Sequence, residues 1–208
     1  MEKALGQLLE SLFFCSKSTH NENTNSKNHC IFERMNPANE INKIALGGSC
    51  HWCTEAIFQS LIGVADVAQG WVQSINENDS FSEAVIVKFS PSVIPLKVLI
   101  EIHLRTHKST VHHSMRTKYR SAIYYYTETQ RDTIVDILKE LQKSFNQKII
   151  TQVLPFVAFK ASREEITNYY YSNPQKPFCR QFIHPKLQLL VKEFSSFTSK
   201  EKLQHLHA

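Results

Sequence analysis

Residues 42–64 read NKIALGGSCHWCTEAIFQSLIGV, and this stretch decides the fold. NKIAL reads as a strand, and Gly47 and Gly48 end it. WCTEAIFQSLIG then reads as a helix, with Ile57, Phe58, Leu61 and Ile62 on one apolar side and Gly63 at its end. The chain holds five glycines, four of them between residues 47 and 70. The pair before Cys50 therefore marks a local demand, either a tight strand-to-helix turn or a backbone that a ligand approaches closely. A helix N-terminus carries unpaired N–H groups and a positive dipole end, which favour a thiolate over a thiol. Cys50 is thus the candidate nucleophile, with Trp52 as an apolar wall beside it. The plainer alternative, two small core cysteines in a first turn, does not explain why glycines, a CxxC and a helix boundary coincide.

Working outward, VADVAQGWV and EAVIVKFS are β-rich runs separated by the polar INENDSFS. IPLKVLIEIHLRTH reads as a helix with Pro95 in its first turn and Ile94, Val98 and Ile102 four apart. RSAIYYYT is strand-like, and ETQRDTIVDILKELQKSF is the clearest helix, with Ile134, Leu138, Leu141 and Phe145 as its stripe. KIITQVL predicts a further strand, and SREEITNYYYSN a further helix with Ser162 as N-cap and Glu165 three residues on. PKLQLLVKEF closes the pattern. Two strands adjacent in the middle exclude strict βαβα alternation, so the expected class is α+β, a mixed sheet with helices packed on it. Residues 1–40 read as a flexible extension, because Ser16 to Glu40 has too few apolar positions to offset ordering entropy. Met35 is a candidate translation start. Residues 41–196 read as the catalytic domain and 197–208 as a polar tail.

At 208 residues, 42% hydrophobic and 21% charged, the chain is of ordinary globular composition, which excludes global disorder. No apolar run reaches membrane-spanning length, and ALGQLLESLFF makes a poor signal peptide because Gln7 and Glu10 interrupt it. A cytoplasmic location is expected. The net charge of +5 comes from scattered Lys and Arg and does not indicate nucleic acid. The five cysteines, Cys15, Cys30, Cys50, Cys53 and Cys179, are an odd number without a signal peptide. That argues for metal binding or thiol redox chemistry rather than a disulfide framework. Glu83, at the mouth of an otherwise apolar strand, is a candidate general acid if desolvation holds its proton.

GGSCHWCTEAIFQSLIGV resembles the GGCFWCxEAxFxxLxGV signature of the peptide methionine sulfoxide reductase A family. SEAVIVKFSPSVIPLKVLIEIHLRTH resembles that family's AEAVRVxYDPxxISYxxLLxxFFxxHDPT. KYRSAIYYYTETQ resembles TQYRSAIYxxxxEQ, and ITQVLPFVAFKASREEITNYY with NPQKPFC resembles its C-terminal region. The likeness runs from about Lys43 to the region of Phe194. It implies a ferredoxin-like α/β sandwich and thiol-dependent reduction of methionine S-sulfoxide, free or in peptides. By that resemblance Cys50 is the nucleophile, Glu83 the proton donor, Trp52 the aromatic packed on the substrate methyl, and Tyr119 a hydrogen-bond partner of the sulfoxide oxygen. Cys50 would become a sulfenic acid, a second thiol would condense with it, and thioredoxin would reduce the disulfide. Cys179 matches the C-terminal resolving position. Cys53 is the alternative, although thiols three apart in one helical turn meet only with suitable rotamers.

Several positions depart from the family pattern. His51 replaces a phenylalanine in the methyl pocket. QSINENDSF shortens a glycine-rich loop, so one oxygen-binding tyrosine has no counterpart. VHHSMR puts Ser114 where the family carries an aspartate, and Ile166 to Tyr169 read ITNY for HQxY. Losing such partners of a transition state costs a few kcal/mol, roughly a hundredfold in rate. His103 and His107, four apart on a helix, could in principle bind zinc, but no protease pattern or second CxxC accompanies them, so no metal is expected. No phosphate-binding glycine loop is present and no organic cofactor is expected. The competing readings are a thioredoxin-like disulfide exchanger and a weakened sensor that binds methionine sulfoxide without turning it over. Ser49 stands where the exchanger motif has tryptophan.

Overall fold

The computed structural model describes residues 41–206. Strand β1 (Asn42–Gly47) leads into helix α1 (His51–Gln59), followed by β2 (Val64–Gln73), β3 (Ser82–Phe89), α2 (Leu96–Thr106) and β4 (Ala122–Tyr125). Then come α3 (Glu128–Leu141), β5 (Gln152–Pro155), β6 (Ala158–Ala161), the one-turn α4 (Tyr169–Ser172) and α5 (His184–Glu193). The strands form one sheet in the order β5-β4-β1-β3-β2-β6. All neighbours are antiparallel except β4 and β5, which run parallel. The inner order β4-β1-β3-β2, with α1 between β1 and β2 and α2 between β3 and β4, is the ferredoxin-like βαββαβ arrangement expected from the resemblance.

Alternation along the strands separates the two faces of the sheet. Ile44, Leu46, Val85, Val87 and Phe89 face the helices, where they are buried with Ile57 and Phe58 of α1, Leu99 and Ile102 of α2, and Leu187 and Leu190 of α5. Ala45, Ala84 and Ala122 occupy the other face around Tyr124, backed by Phe156 and Phe159. The helix-side cluster is the main core, and α1 lies on it with its N-terminus at the end of the sheet where β1 finishes.

Some expectations are revised. The helix expected over 162–173 is reduced to a short turn at Glu164–Ile166 and the single turn of α4, because Asn168 takes a left-handed φ of 51° that a continuous helix excludes. The strand expected over 148–154 begins only at Gln152, and β6, which pairs with β2, was not anticipated. Ile62 is exposed rather than on the buried side of α1, which has already ended. Pro95 precedes α2 as its cap residue. The stretch read as a polar tail packs back on the domain as far as Leu206: Leu203 is buried, Thr198 bridges Leu61, and Lys202 Nζ donates to Gln59 O at 2.7 Å. The extension over 1–40, with Cys15, Cys30 and Met35, lies outside the described residues. No helix among the described residues is long and apolar enough to cross a membrane.

Candidate active site

The register of the sheet assembles the site. Gly47, the last residue of β1, pairs with Ala84 on one side and Ala122 on the other. Residues just beyond β1 therefore meet the start of β3, which carries Glu83, and the approach to β4, which carries Tyr119. Glu83 N–H and Ser82 Oγ both donate to Lys118 O at 2.9 Å. The two glycines permit this closeness. A Cβ on Gly47 would lie 2.9 Å from Arg120 O, and one on Gly48, whose φ is +156°, would lie 2.5 Å from the His107 ring.

Cys50 caps α1 without a side-chain cap, its carbonyl accepting from Cys53 N–H at 3.1 Å and Thr54 N–H at 3.2 Å. Its sulfur is half-buried and its pKa is lowered. The main cause is a hydrogen bond from the Cys53 thiol, with help from the Trp52 and Cys53 backbone N–H groups; burial and the Glu83 charge oppose it. Cys53 is buried, and the proton it lends to Cys50, together with desolvation, pushes its own pKa up. This is the polarity expected of a helix-terminal nucleophile.

Glu83 is buried and divides its two oxygens. Oε2 accepts from His51 N–H at 3.0 Å, and Oε1 lies 3.4 Å from Lys118 Nζ. The carboxyl is thus held against the residue next to Cys50. The His51 ring turns inward, donating from Nδ1 to Gly70 O at 3.2 Å and standing edge-on to Trp71. Burial pushes its pKa down, so this side chain is a neutral wall near Glu83. Trp52 stacks on Tyr169 with centroids 4.1 Å apart, and Phe178 meets both rings edge-on, at 5.5 and 6.0 Å. Tyr119 is half-buried, and Lys118 Nζ, 3.4 Å from Glu83 Oε1, lies 5.1 Å from its ring centroid.

Cys179 is fully buried in the same core as Cys53, its thiol donating to Asn173 O at 3.6 Å, and burial raises its pKa. Of the two candidate resolving thiols, Cys53 lies three residues from Cys50 in the first turn of α1 and is the one that shifts the Cys50 pKa, while Cys179 faces the core. The histidine pair is also placed inside. His107 Nδ1 donates to His103 O at 2.5 Å, leaving Nε2 to accept from Ser121 Oγ at 2.8 Å. Burial lowers His107 to about 3 and His103 well below its usual value, so both are neutral. No group of three or more metal-ligating side chains occurs among the described residues.

Sequence reasoning missed four contributors. Glu55, buried in α1, accepts from Asn168 N–H at 2.9 Å and Tyr169 N–H at 3.3 Å, so it pins the segment that carries Tyr169. Its signal was a carboxylate on the buried side of a helix, which needs partners. Tyr169 and Phe178 complete the aromatic cluster, and nothing in periodicity singles them out. Lys186 on α5 is lowered by desolvation and held up by the Cys53 and Cys50 charges, a half-buried cation near the thiols. A cavity of about 760 Å³ opens elsewhere, between Lys43, Lys88, Tyr126 and Gln130, and contains none of these groups.

The family described as peptide methionine sulfoxide reductase matches residues 42–198. The chain belongs to that family. A peptide methionine sulfoxide reductase MsrA of Psychrobacter cryohalolentis is 32% identical over 168 residues, 74% of this chain and 96% of that protein. One from Sulfolobus acidocaldarius is 30% identical over 163 residues, 72% of this chain and 93% of that protein. Among solved structures, Mxr1 from Saccharomyces cerevisiae in an unusual oxidized form aligns with a TM-score of 0.53 at 25% identity, covering 65% of this chain and 83% of that one. Methionine sulfoxide reductase A of Corynebacterium diphtheriae, at 22% identity and a TM-score of 0.54 over 68% of this chain and 78% of that one, shares the fold.

Proposed function

We propose that Cys50 attacks the sulfur of methionine S-sulfoxide while Glu83 protonates the oxygen. Thiol-dependent reduction of methionine sulfoxide is the reaction that family membership carries. The observation that supports these assignments is the coupling of nucleophile and acid through consecutive residues: Cys50 has a lowered pKa, and the N–H of the next residue, His51, holds the Glu83 carboxyl. Trp52, Tyr169 and Phe178 form the apolar side for the substrate methyl, His51 a more polar wall of that pocket, and Tyr119 a hydroxyl for the oxygen. The product is methionine and a Cys50 sulfenic acid.

The disulfide that follows forms with Cys179 once the segment from Asn173 moves it out of the core. Cys53 is the second reading, favoured by its place one helical turn from Cys50 and by its effect on the Cys50 pKa. Thioredoxin then reduces the disulfide by exchange, and oxidised proteins or peptides are the substrates. The cytoplasm, where such a reductant is kept reduced, is the setting this cycle needs.

The test is dithiothreitol-driven reduction of a dabsyl-methionine sulfoxide substrate, with each pure epimer, by wild type and Cys50→Ser. Conversion of the S-epimer alone, lost in the variant, is the expected result. No conversion by wild type refutes the assignment. Insulin-disulfide reduction without sulfoxide turnover would identify an exchanger, and tight sulfoxide binding without methionine formation a sensor.

A further inference from the structure

The oxygen side of the site holds a cation that the reaction as described leaves unused. Of the two Glu83 oxygens, Oε2 is already engaged by His51 N–H, which leaves Oε1 to meet a substrate oxygen. Lys118 Nζ stands 3.4 Å from that same Oε1. The lysine is not there by chance of a long side chain. Its carbonyl accepts from both Glu83 N–H and Ser82 Oγ at 2.9 Å, while Ser82 Oγ accepts from Arg120 N–H at 2.8 Å. Residue 118 is therefore clamped to the first two residues of β3, and Tyr119 beside it adds a ring below the ammonium at 5.1 Å. An oxygen hydrogen-bonded to Oε1 falls within reach of this ammonium, which has three donors and no acceptor to satisfy.

We infer that Lys118 is a catalytic residue, its ammonium donating a hydrogen bond to the sulfoxide oxygen beside Glu83 as the sulfur–oxygen bond breaks. The inference rests on the reductase reading above. Thiolate, sulfoxide and one proton give sulfenic acid and thioether. The Cys50 sulfur loses two electrons and gains the oxygen, the substrate sulfur gains two electrons and loses it, and the proton delivered to the oxygen remains on the sulfenic acid. Charge develops on the oxygen before that proton is fully transferred, and a fixed cation there acts on the transition state more than on the bound substrate. Removing one such donor from a closed site costs on the order of a hundredfold. Lys118 is 54% exposed, so screening reduces the expected loss to roughly tenfold.

The experiment uses the full chain in single turnover without recycling reductant, measuring methionine formed per enzyme against substrate concentration. Lys118→Met should lower the rate constant roughly tenfold with half-saturation changed less than twofold, and Lys118→Arg should retain more activity than Lys118→Met. Added ethylammonium should restore turnover to Lys118→Ala in proportion to its concentration, a rescue that a purely structural role would not show. A Lys118→Met enzyme within twofold of wild type overturns the assignment, as does a Lys118→Ala loss that ethylammonium leaves unchanged. A wild-type enzyme that forms no methionine refutes the underlying reductase reading instead, so the two failures are distinguishable.

Discussion

Removing the Glu55 carboxylate should loosen the substrate pocket without touching the reacting atoms. The side chain is 2% exposed and holds two backbone N–H groups, Asn168 at 2.9 Å and Tyr169 at 3.3 Å. Hydrogen bonds to a charged group are worth about 1.5–3 kcal/mol each. Asn168 is exposed, and water can replace most of what Glu55 supplies there, so the loss is close to that of one such bond and Glu55→Ala should cost about 2 kcal/mol in holding this segment. Because Tyr169 stacks on Trp52, that cost falls on substrate affinity. Two kcal/mol corresponds to roughly thirtyfold in half-saturation, with the single-turnover rate at saturating sulfoxide near wild type. Glu55→Gln keeps one acceptor oxygen and should lie between the two. The pH dependence gives a second handle. Burial raises the Glu55 pKa above its ordinary value near 4.5, outweighing the two backbone hydrogen bonds that lower it. The native state therefore binds the proton more tightly than the unfolded chain, so stability falls as pH rises through 4.5 and levels off above the raised pKa. Glu55→Gln lacks this dependence, and wild type should lose its advantage over that variant across the same window, followed by urea unfolding. Unchanged half-saturation in Glu55→Ala would refute the view that this carboxylate positions Tyr169.

Two further outcomes can be measured directly. Gly48→Ala should lower stability by about 2–5 kcal/mol, combining a left-handed backbone penalty with overpacking against a ring held by two hydrogen bonds; calorimetry should show Tm lower by roughly 5–15 °C, and an unchanged Tm would mean that the turn yields freely. Cys53→Ala removes the hydrogen bond that most lowers the Cys50 pKa, leaving burial and Glu83 to raise it; the pH midpoint of Cys50 alkylation by iodoacetamide should move upward, and a fixed midpoint would assign the lowering to the backbone N–H groups.

The central strands and long helices were legible because each has its own period: two in NKIAL and EAVIVKFS, about 3.6 in the α3 stripe. The strand-to-helix turn that carries Cys50 was legible because glycines, a thiol and a helix boundary coincide over a few residues. What escaped notice depends on pairing between distant segments. The four residues of β6 are a strand only because β2 offers an edge, and α4 is cut short by one left-handed residue that propensity does not forbid. Lys118 and Glu55 read as ordinary charged residues, since their significance lies in register and burial. Nothing in the spacing of NPQKPFC marks Phe178.

The adjacency of Phe178 and Cys179 has a kinetic meaning. Phe178 closes the aromatic cluster over Trp52 and Tyr169, while the next residue, Cys179, opens a five-residue π-helical turn and points into the core. Phe178 and its neighbour Cys179 point to different surroundings, one to the indole and one to the core, so a rotation that delivers the Cys179 sulfur to Cys50 would withdraw the Phe178 ring from the indole. An enzyme that resolves its sulfenic acid through Cys179 dismantles its own substrate pocket in the same movement. If Cys179 is the resolving thiol, methionine leaves as the disulfide closes, a second sulfoxide has nowhere to dock, and the oxidised form waits for a reductant alone. On that route sulfoxide and reductant would take turns at one surface, because two consecutive side chains cannot occupy it together.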